Sequence, residues 1–217
     1  MIGKYLRPVF TKIITPIAKG LLKIGVTPNM MTVFGTVLNS VLAIYFFAIS
    51  GHLIIGALVL GALVFVDMID GAMAREIGSG TPFGAVLDAS LDRIADGAIF
   101  GSIFWWIMMN RPGDYTLMVA TLITLVFSGV ISYTKARAEA SGIPITVGII
   151  ERPERLIISL VAVELTGLAL HFGVGWLVYA IHVAMWILAV GSVITVLQRL
   201  LAVYKHPEAR QDFAKQQ

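Results

Sequence analysis

The sequence predicts an all-α integral membrane protein, with six transmembrane helices preceded by an interfacial amphipathic helix. Composition and the spacing of apolar runs predict it. Of 217 residues, 58% are hydrophobic and only 13% charged, and the mean hydropathy is +0.87; a soluble domain carries about 25% charged residues. The apolar residues come in successive runs close to the ~20 residues that cross a bilayer as a helix. No polar break between them is long enough to separate two domains.

Residues 2–23 open the chain. Leu6, Val9, Phe10, Ile13, Ile14, Ile17, Leu21 and Leu22 recur mostly at helical spacing, with Lys4, Lys12, Lys19 and Lys23 largely elsewhere. That pattern predicts a helix lying in the membrane interface, which Pro8 and Pro16 should bend or divide. A basic topogenic leader is the other reading of this run. The lysines and Arg7 interrupt it too often for the apolar core of a cleavable signal. Residues 1–28 are thus assigned to the interfacial segment, 29–205 to a single six-helix transmembrane domain and 206–217 to a polar cytoplasmic tail. The spans are expected near 30–50, 53–74, 84–109, 115–138, 155–172 and 175–204.

Six spans put both termini on one side. Of the 16 Lys and Arg residues, Arg111 alone falls on the opposite side. The positive-inside rule makes the basic side cytoplasmic. This predicts a multi-pass protein of the cell membrane, with its site and both termini toward the cytoplasm. A net charge of +3, with no basic run interleaved with aromatics, argues against nucleic acid as a partner. The absence of cysteine excludes disulfides and thiolate metal sites.

Four carboxylates gather at the cytoplasmic ends of the second and third spans. Asp67 and Asp70 are three apart, Asp88 and Asp92 four apart, so each pair shares a helical face. The turn from Glu76 to Phe83, with its glycines and Pro82, can fold the pairs together. Carboxylates so placed repel unless a cation lies between them. An all-oxygen set suits Mg²⁺ or Mn²⁺ rather than zinc, and two such ions could clamp a diphosphate. Gly71 and Ala74 leave room for a nucleotide, and Arg75 can meet a phosphate oxygen. The alternative is a structural network of these acids with Arg75 and Arg93. Asp96, one turn deeper, is read as a supporting group.

The run Asp67-x2-Asp70-Gly71-x2-Ala74-Arg75-x8-Gly84-x3-Asp88-x3-Asp92 resembles the signature of the CDP-alcohol phosphotransferase family at every fixed position. The resemblance implies that Asp67, Asp70 and Asp88 bind divalent ions, and that Asp92 is both ligand and catalytic base. It implies that Gly71, Ala74 and Arg75 lie against the CDP moiety, with Thr81 a further contact. The segment Thr27-Pro28-Asn29-Met30-Met31-Thr32 resembles the part of the family that closes over cytidine. The substrate so implied is CDP-diacylglycerol, embedded among membrane lipids, and the expected assembly is a homodimer with one site per subunit.

A second cluster, Ser132, Lys135 and Arg137, then Arg152 and Arg155, then Arg199, is expected to form a basic pocket for an acceptor that carries a phosphate. Ordinary positive-inside anchoring is the other reading of these cations. Ser132-Tyr133-x-Lys135-Ala136-Arg137 and Glu151-Arg152-Pro153-Glu154-Arg155 look like segments of the actinobacterial phosphatidylinositol phosphate synthases. That resemblance implies inositol 1-phosphate as acceptor. Phosphatidylglycerophosphate synthases carry a related first segment, so glycerol phosphate is the competing acceptor. A transporter would also place acids in a helical bundle, but nearer mid-membrane and often on broken helices.

Other polar and aromatic residues read as structure. Glu164, inside the fifth span, is expected to be protonated or paired. Trp105 and Trp106 are expected in the outer interfacial belt, and Trp176 and Trp186 at lipid or dimer contacts. His171 and His182, on the outer half, are poor metal candidates by position.

Overall fold

The computed structural model describes residues 15–78 and 81–210, without the side chains of residues 65–68, 70, 208 and 210. The expected interfacial helix before residue 15 and the tail beyond 210 lie outside the described residues. Every regular element described is a helix. α1 covers residues 15–23. Then come α2 (Pro28–Ala43), running on into a π-helical turn (Ile44–Ile49), α3 (Leu53–Ile77), α4 (Pro82–Asn110), α5 (Tyr115–Ala140) and α6 (Arg152–Phe172). A 3-10 turn (Gly175–Tyr179) leads into α7 (Ala180–Lys205), and a short 3-10 turn, Pro207–Arg210, follows it.

α2 to α7 stand where the six spans were expected. Among the described residues, four stretches are long and apolar enough to cross a membrane: Pro28–Ile49, Tyr115–Ala140, Arg152–Phe172 and Gly175–Lys205. The second half of α3 carries Asp67 and Asp70, and the first half of α4 carries Asp88, Asp92, Arg93 and Asp96. These two helices give up apolar length to the acidic motif.

Local chemistry sets the boundaries. Thr27 caps α2 by accepting the Met30 N–H at 3.3 Å, with Pro28 in the first turn. Gly78, at φ +70°, ends α3 in the left-handed region. α6 starts three residues earlier than expected, because Glu151 and Glu154 form a reciprocal capping box around Arg152 and Pro153.

The chain divides into two compact units, Met1–Ile99 and Phe100–Gln217, the boundary falling within α4. In the first, α2 packs on α3, and α1 is tied to the end of α3 by a 3.0 Å ion pair from Lys19 Nζ to Glu76 Oε1.

In the second unit α7 packs on α5 and α6. The buried face of α5 includes Thr121, Thr124 and Ser128, whose hydroxyls bond back to carbonyls of their own helix. Small residues let helices approach closely, and such back-bonding leaves no polar group exposed to hydrocarbon. At the N-terminus of α5, Asp114 accepts from the Leu117 N–H at 3.3 Å and meets His182 Nε2 at 2.7 Å. Burial opposes ionisation of Asp114, but the Leu117 N–H, the His182 ring and the Thr116 hydroxyl outweigh it and hold the carboxyl below its usual range. His182 is therefore a structural partner, an assignment that required knowing which loop it faces. Trp105 is half-exposed as expected of a belt residue, but Trp106 is buried. Successive residues on a helix point about 100° apart, so the two rings cannot share one lipid-facing surface.

Candidate active site

In the first unit the helix ends enclose a cavity of about 660 Å³, within the ~300–1,000 Å³ common for ligand sites. Thr27, Pro28, Asn29 and Thr32 line it from the start of α2, and Gly71, Ala74 and Ile77 from the end of α3. Thr81, Pro82, Gly84, Ala85 and Asp88 line it from the start of α4.

Two helices begin at this cavity in the same way. Thr81 Oγ1 accepts the Gly84 N–H at 3.0 Å, as Thr27 accepts that of Met30 in α2. In both, proline follows the capping threonine. The positive ends of two helix dipoles thus border one cavity, a favourable setting for a diphosphate. The repeated Thr-Pro pair was visible in the sequence as two helix starts, although nothing there said that they share a cavity.

Of the residues expected against the CDP moiety, Pro28, Asn29, Thr32, Gly71, Ala74, Thr81 and Asp88 line the cavity, whereas Met30 and Met31 do not. Thr27, which opens the segment expected over cytidine, also lines it, and Ile77 and Ala85 line it without having been singled out as contacts. Arg75 is exposed, and its guanidinium lies 3.6 Å from where a Gly71 Cβ would be. The Asp67 and Asp70 side chains lie outside the described residues; their backbones sit in α3, one turn of helix apart. Among the described residues, no three His, Cys, Asp or Glu groups gather as a metal cluster.

Asp88 is exposed and reaches the cavity; Asp92, one turn on, is 24% exposed, and Asp96, a further turn on, 1%. Arg93 Nη2 lies 3.7 Å from Asp92 Oδ2 and 3.9 Å from Asp96 Oδ2. The alternative of a structural network is therefore realised at the deep end of the motif. Among the described side chains, Asp88 is the motif carboxylate at the cavity, and a carboxylate oxygen suits a hard divalent cation.

Gly84 explains its place in the motif. A Cβ there would stand 3.0 Å from Asn29 Oδ1 and 3.1 Å from Thr81 Oγ1. Gly84→Val should displace both groups, weakening a cap worth about 1 kcal/mol, and raise the KM for the substrate that fills this cavity by roughly five- to tenfold. Steady-state kinetics would check this, and an unchanged KM would rule out a tight fit at this contact.

The second cluster lies in the other unit. Ser132 is partly buried and donates to Ser128 O at 3.3 Å, and Lys135 and Arg137 are exposed at the end of α5. Arg152 is partly buried; Arg155 and Arg199 are 1% and 3% exposed. Arg199, expected as a phosphate contact, donates to Val147 O at 3.0 Å, Ile131 O at 2.6 Å and Glu151 Oε1 at 3.3 Å. Three of its five N–H groups are thus held by the protein.

Comparison with known proteins bears on both clusters. The family model for CDP-alcohol phosphatidyltransferase matches residues 25–204. A phosphatidylinositol phosphate synthase of Mycobacteroides abscessus is 49% identical, over 96% of this chain and 91% of its own. The crystal structure of Mycobacterium tuberculosis phosphatidylinositol phosphate synthase with CDP-DAG bound superposes with a TM-score of 0.84 at 48% identity, covering 93% of this chain and 98% of that one. The same enzyme in complex with manganese and citrate gives 0.83 at 48%, covering 92% and 93%.

Proposed function

This chain belongs to the CDP-alcohol phosphatidyltransferase family, and from that premise we propose that it is a phosphatidylinositol phosphate synthase, which joins CDP-diacylglycerol to inositol 1-phosphate and releases CMP. The observation that carries the reading is the cavity bounded by motif residues Gly71, Ala74, Gly84 and Asp88. Similarity to phosphatidylinositol phosphate synthases supports inositol 1-phosphate as the acceptor.

Asp67, Asp70, Asp88 and Asp92 would hold two divalent ions, Mg²⁺ or Mn²⁺, and the manganese complex of a relative supports this. Bound there, the ions supply charge neutralisation for the diphosphate. The helix starts at Thr27 and Thr81 offer their positive dipole ends to the diphosphate, and Arg75 adds an exposed cation. Asp92 takes the proton of the acceptor hydroxyl. That oxygen bonds to the phosphorus bearing the lipid as the P–O bond to CMP breaks. Positioning and charge stabilisation dominate such transfers. The contacts proposed for the acceptor's phosphate are the Ser132 hydroxyl and the cations Lys135, Arg137, Arg152, Arg155 and Arg199. Residues 29–205 work as one transmembrane domain of six spans, in a homodimer whose sites and termini face the cytoplasm.

The test offers purified protein CDP-diacylglycerol with inositol 1-phosphate, free inositol, glycerol phosphate or serine, each with Mn²⁺ or Mg²⁺. CMP release and phosphatidylinositol phosphate are expected with inositol 1-phosphate alone. Product from glycerol phosphate alone would make the chain a phosphatidylglycerophosphate synthase. No CMP release with any acceptor would refute the synthase reading.

A further inference from the structure

Residues 141–151, which join α5 to α6, form a strap bound to α7. Gly142 turns the chain at φ +79°, and Ile143 and Ile145 pack with Ala138, with Val203 of α7 against them. The Ile150 N–H donates to Thr195 Oγ1 at 3.1 Å, while that hydroxyl donates to Gly191 O at 2.8 Å. The approach is close: a Cβ at Gly191 would stand 2.6 Å from Ile150 Cγ1, and one at Gly148 2.9 Å from Thr195 Cγ2. Arg199 lies one helical turn beyond Thr195 and grips the strap at Val147 O.

Glu151 ends the strap and has two duties. Its carboxylate accepts the Glu154 N–H in the capping box of α6, while Glu154 accepts the Glu151 N–H at 3.1 Å. The same carboxylate meets Arg199 Nη2 at 3.3 Å. The cap of one helix is thereby fastened to a buried guanidinium of another. Arg155, one turn into α6, is also buried, and its positive charge acts on Arg199, as do the negative charges of Glu151 and Glu139. Like charges in a buried setting repel, and the Glu151 carboxylate anchors one of the two.

We propose that Glu151 is a positioning residue for phosphatidyl transfer: by gripping Arg199 from the cap of α6, it sets the spacing of the Arg155 and Arg199 guanidiniums and hence the place where the acceptor's phosphate binds. This rests on the function proposed above only in that the acceptor carries a phosphate.

Glu151→Gln keeps an oxygen for the Glu154 N–H but loses the charged grip on Arg199. It should raise the KM for inositol 1-phosphate about tenfold, the effect of one lost charge-assisted hydrogen bond, with kcat and the KM for CDP-diacylglycerol within about twofold of wild type. Glu154→Gln retains a capping box without touching Arg199, so all three constants should stay within about twofold. In an Arg199→Gln background, Glu151→Gln should add no more than about twofold, because the partner is already gone. An unchanged acceptor KM in Glu151→Gln, a joint loss of kcat and both KM values, or an equal effect from Glu154→Gln overturns the proposal. Should Glu151→Gln not fold, Glu151→Asp keeps charge and cap on a shorter arm, and a rise of about threefold in acceptor KM is expected; none overturns the proposal. If wild type turns over glycerol phosphate instead, the acceptor assignment alone fails, and the same comparison with glycerol phosphate decides Glu151. Use of no phosphorylated acceptor refutes both.

Discussion

Asp92→Asn should lower single-turnover CMP release by about a thousandfold or more, since a positioned general base contributes roughly 10²–10⁴ and the same carboxylate is also an expected metal ligand. The amide has the size of the carboxylate but cannot take the acceptor's proton. Asp92 lies on α4 one turn beyond Asp88, partly exposed, with the Arg93 guanidinium 3.7 Å from Oδ2. The substitution leaves the Arg93–Asp96 contact available to hold that turn. Binding of CDP-diacylglycerol, measured separately with saturating Mn²⁺, should weaken far less, because the cavity lining does not include Asp92. Near-normal turnover with lipid bound would remove Asp92 from the chemistry.

Chelation should have an effect of similar size. Dialysis against a chelator is expected to reduce CMP release by about a thousandfold or more, with recovery on adding Mn²⁺ or Mg²⁺. Zinc should restore it poorly, because this all-oxygen set with no cysteine suits harder ions. Asp88 faces the cavity, so Asp88→Asn should raise the metal concentration needed for half-maximal rate. Thermal unfolding offers a readout separate from activity: Mn²⁺ should raise the melting temperature of wild type, and by less in Asp88→Asn, because ligands that bind only the folded state stabilise it. Full activity after chelation, with metal confirmed absent, would refute metal-assisted transfer.

The acidic motif was readable in the sequence because its chemistry is local. Asp67 and Asp70, then Asp88 and Asp92, lie within one helical turn of each other, so spacing alone puts each pair on one face. The Thr-Pro pairs at Thr27 and Thr81 are equally local, since a cap needs only the next three residues. Arg199 was read less fully. Its partners Ile131, Val147 and Glu151 are 48 to 68 residues away, and periodicity carries no signal at such separations. His182 and Asp114 meet for the same kind of reason, and Trp106 turned inward because helical phase separates it from Trp105.

The helical membrane class, the order and approximate ends of the helices and the two faces of paired carboxylates were legible from apolar run length, capping chemistry and the 3.6-residue turn, which act between near neighbours. The phosphotransferase reading of those carboxylates came from the motif's resemblance to its family. Only the tertiary structure decided that the starts of α2 and α4 share a cavity with the end of α3, and that Glu151 fastens the cap of α6 to a buried arginine of α7. Those facts depend on which distant segments touch, and that is settled by close packing of whole helices rather than by any residue's own neighbourhood.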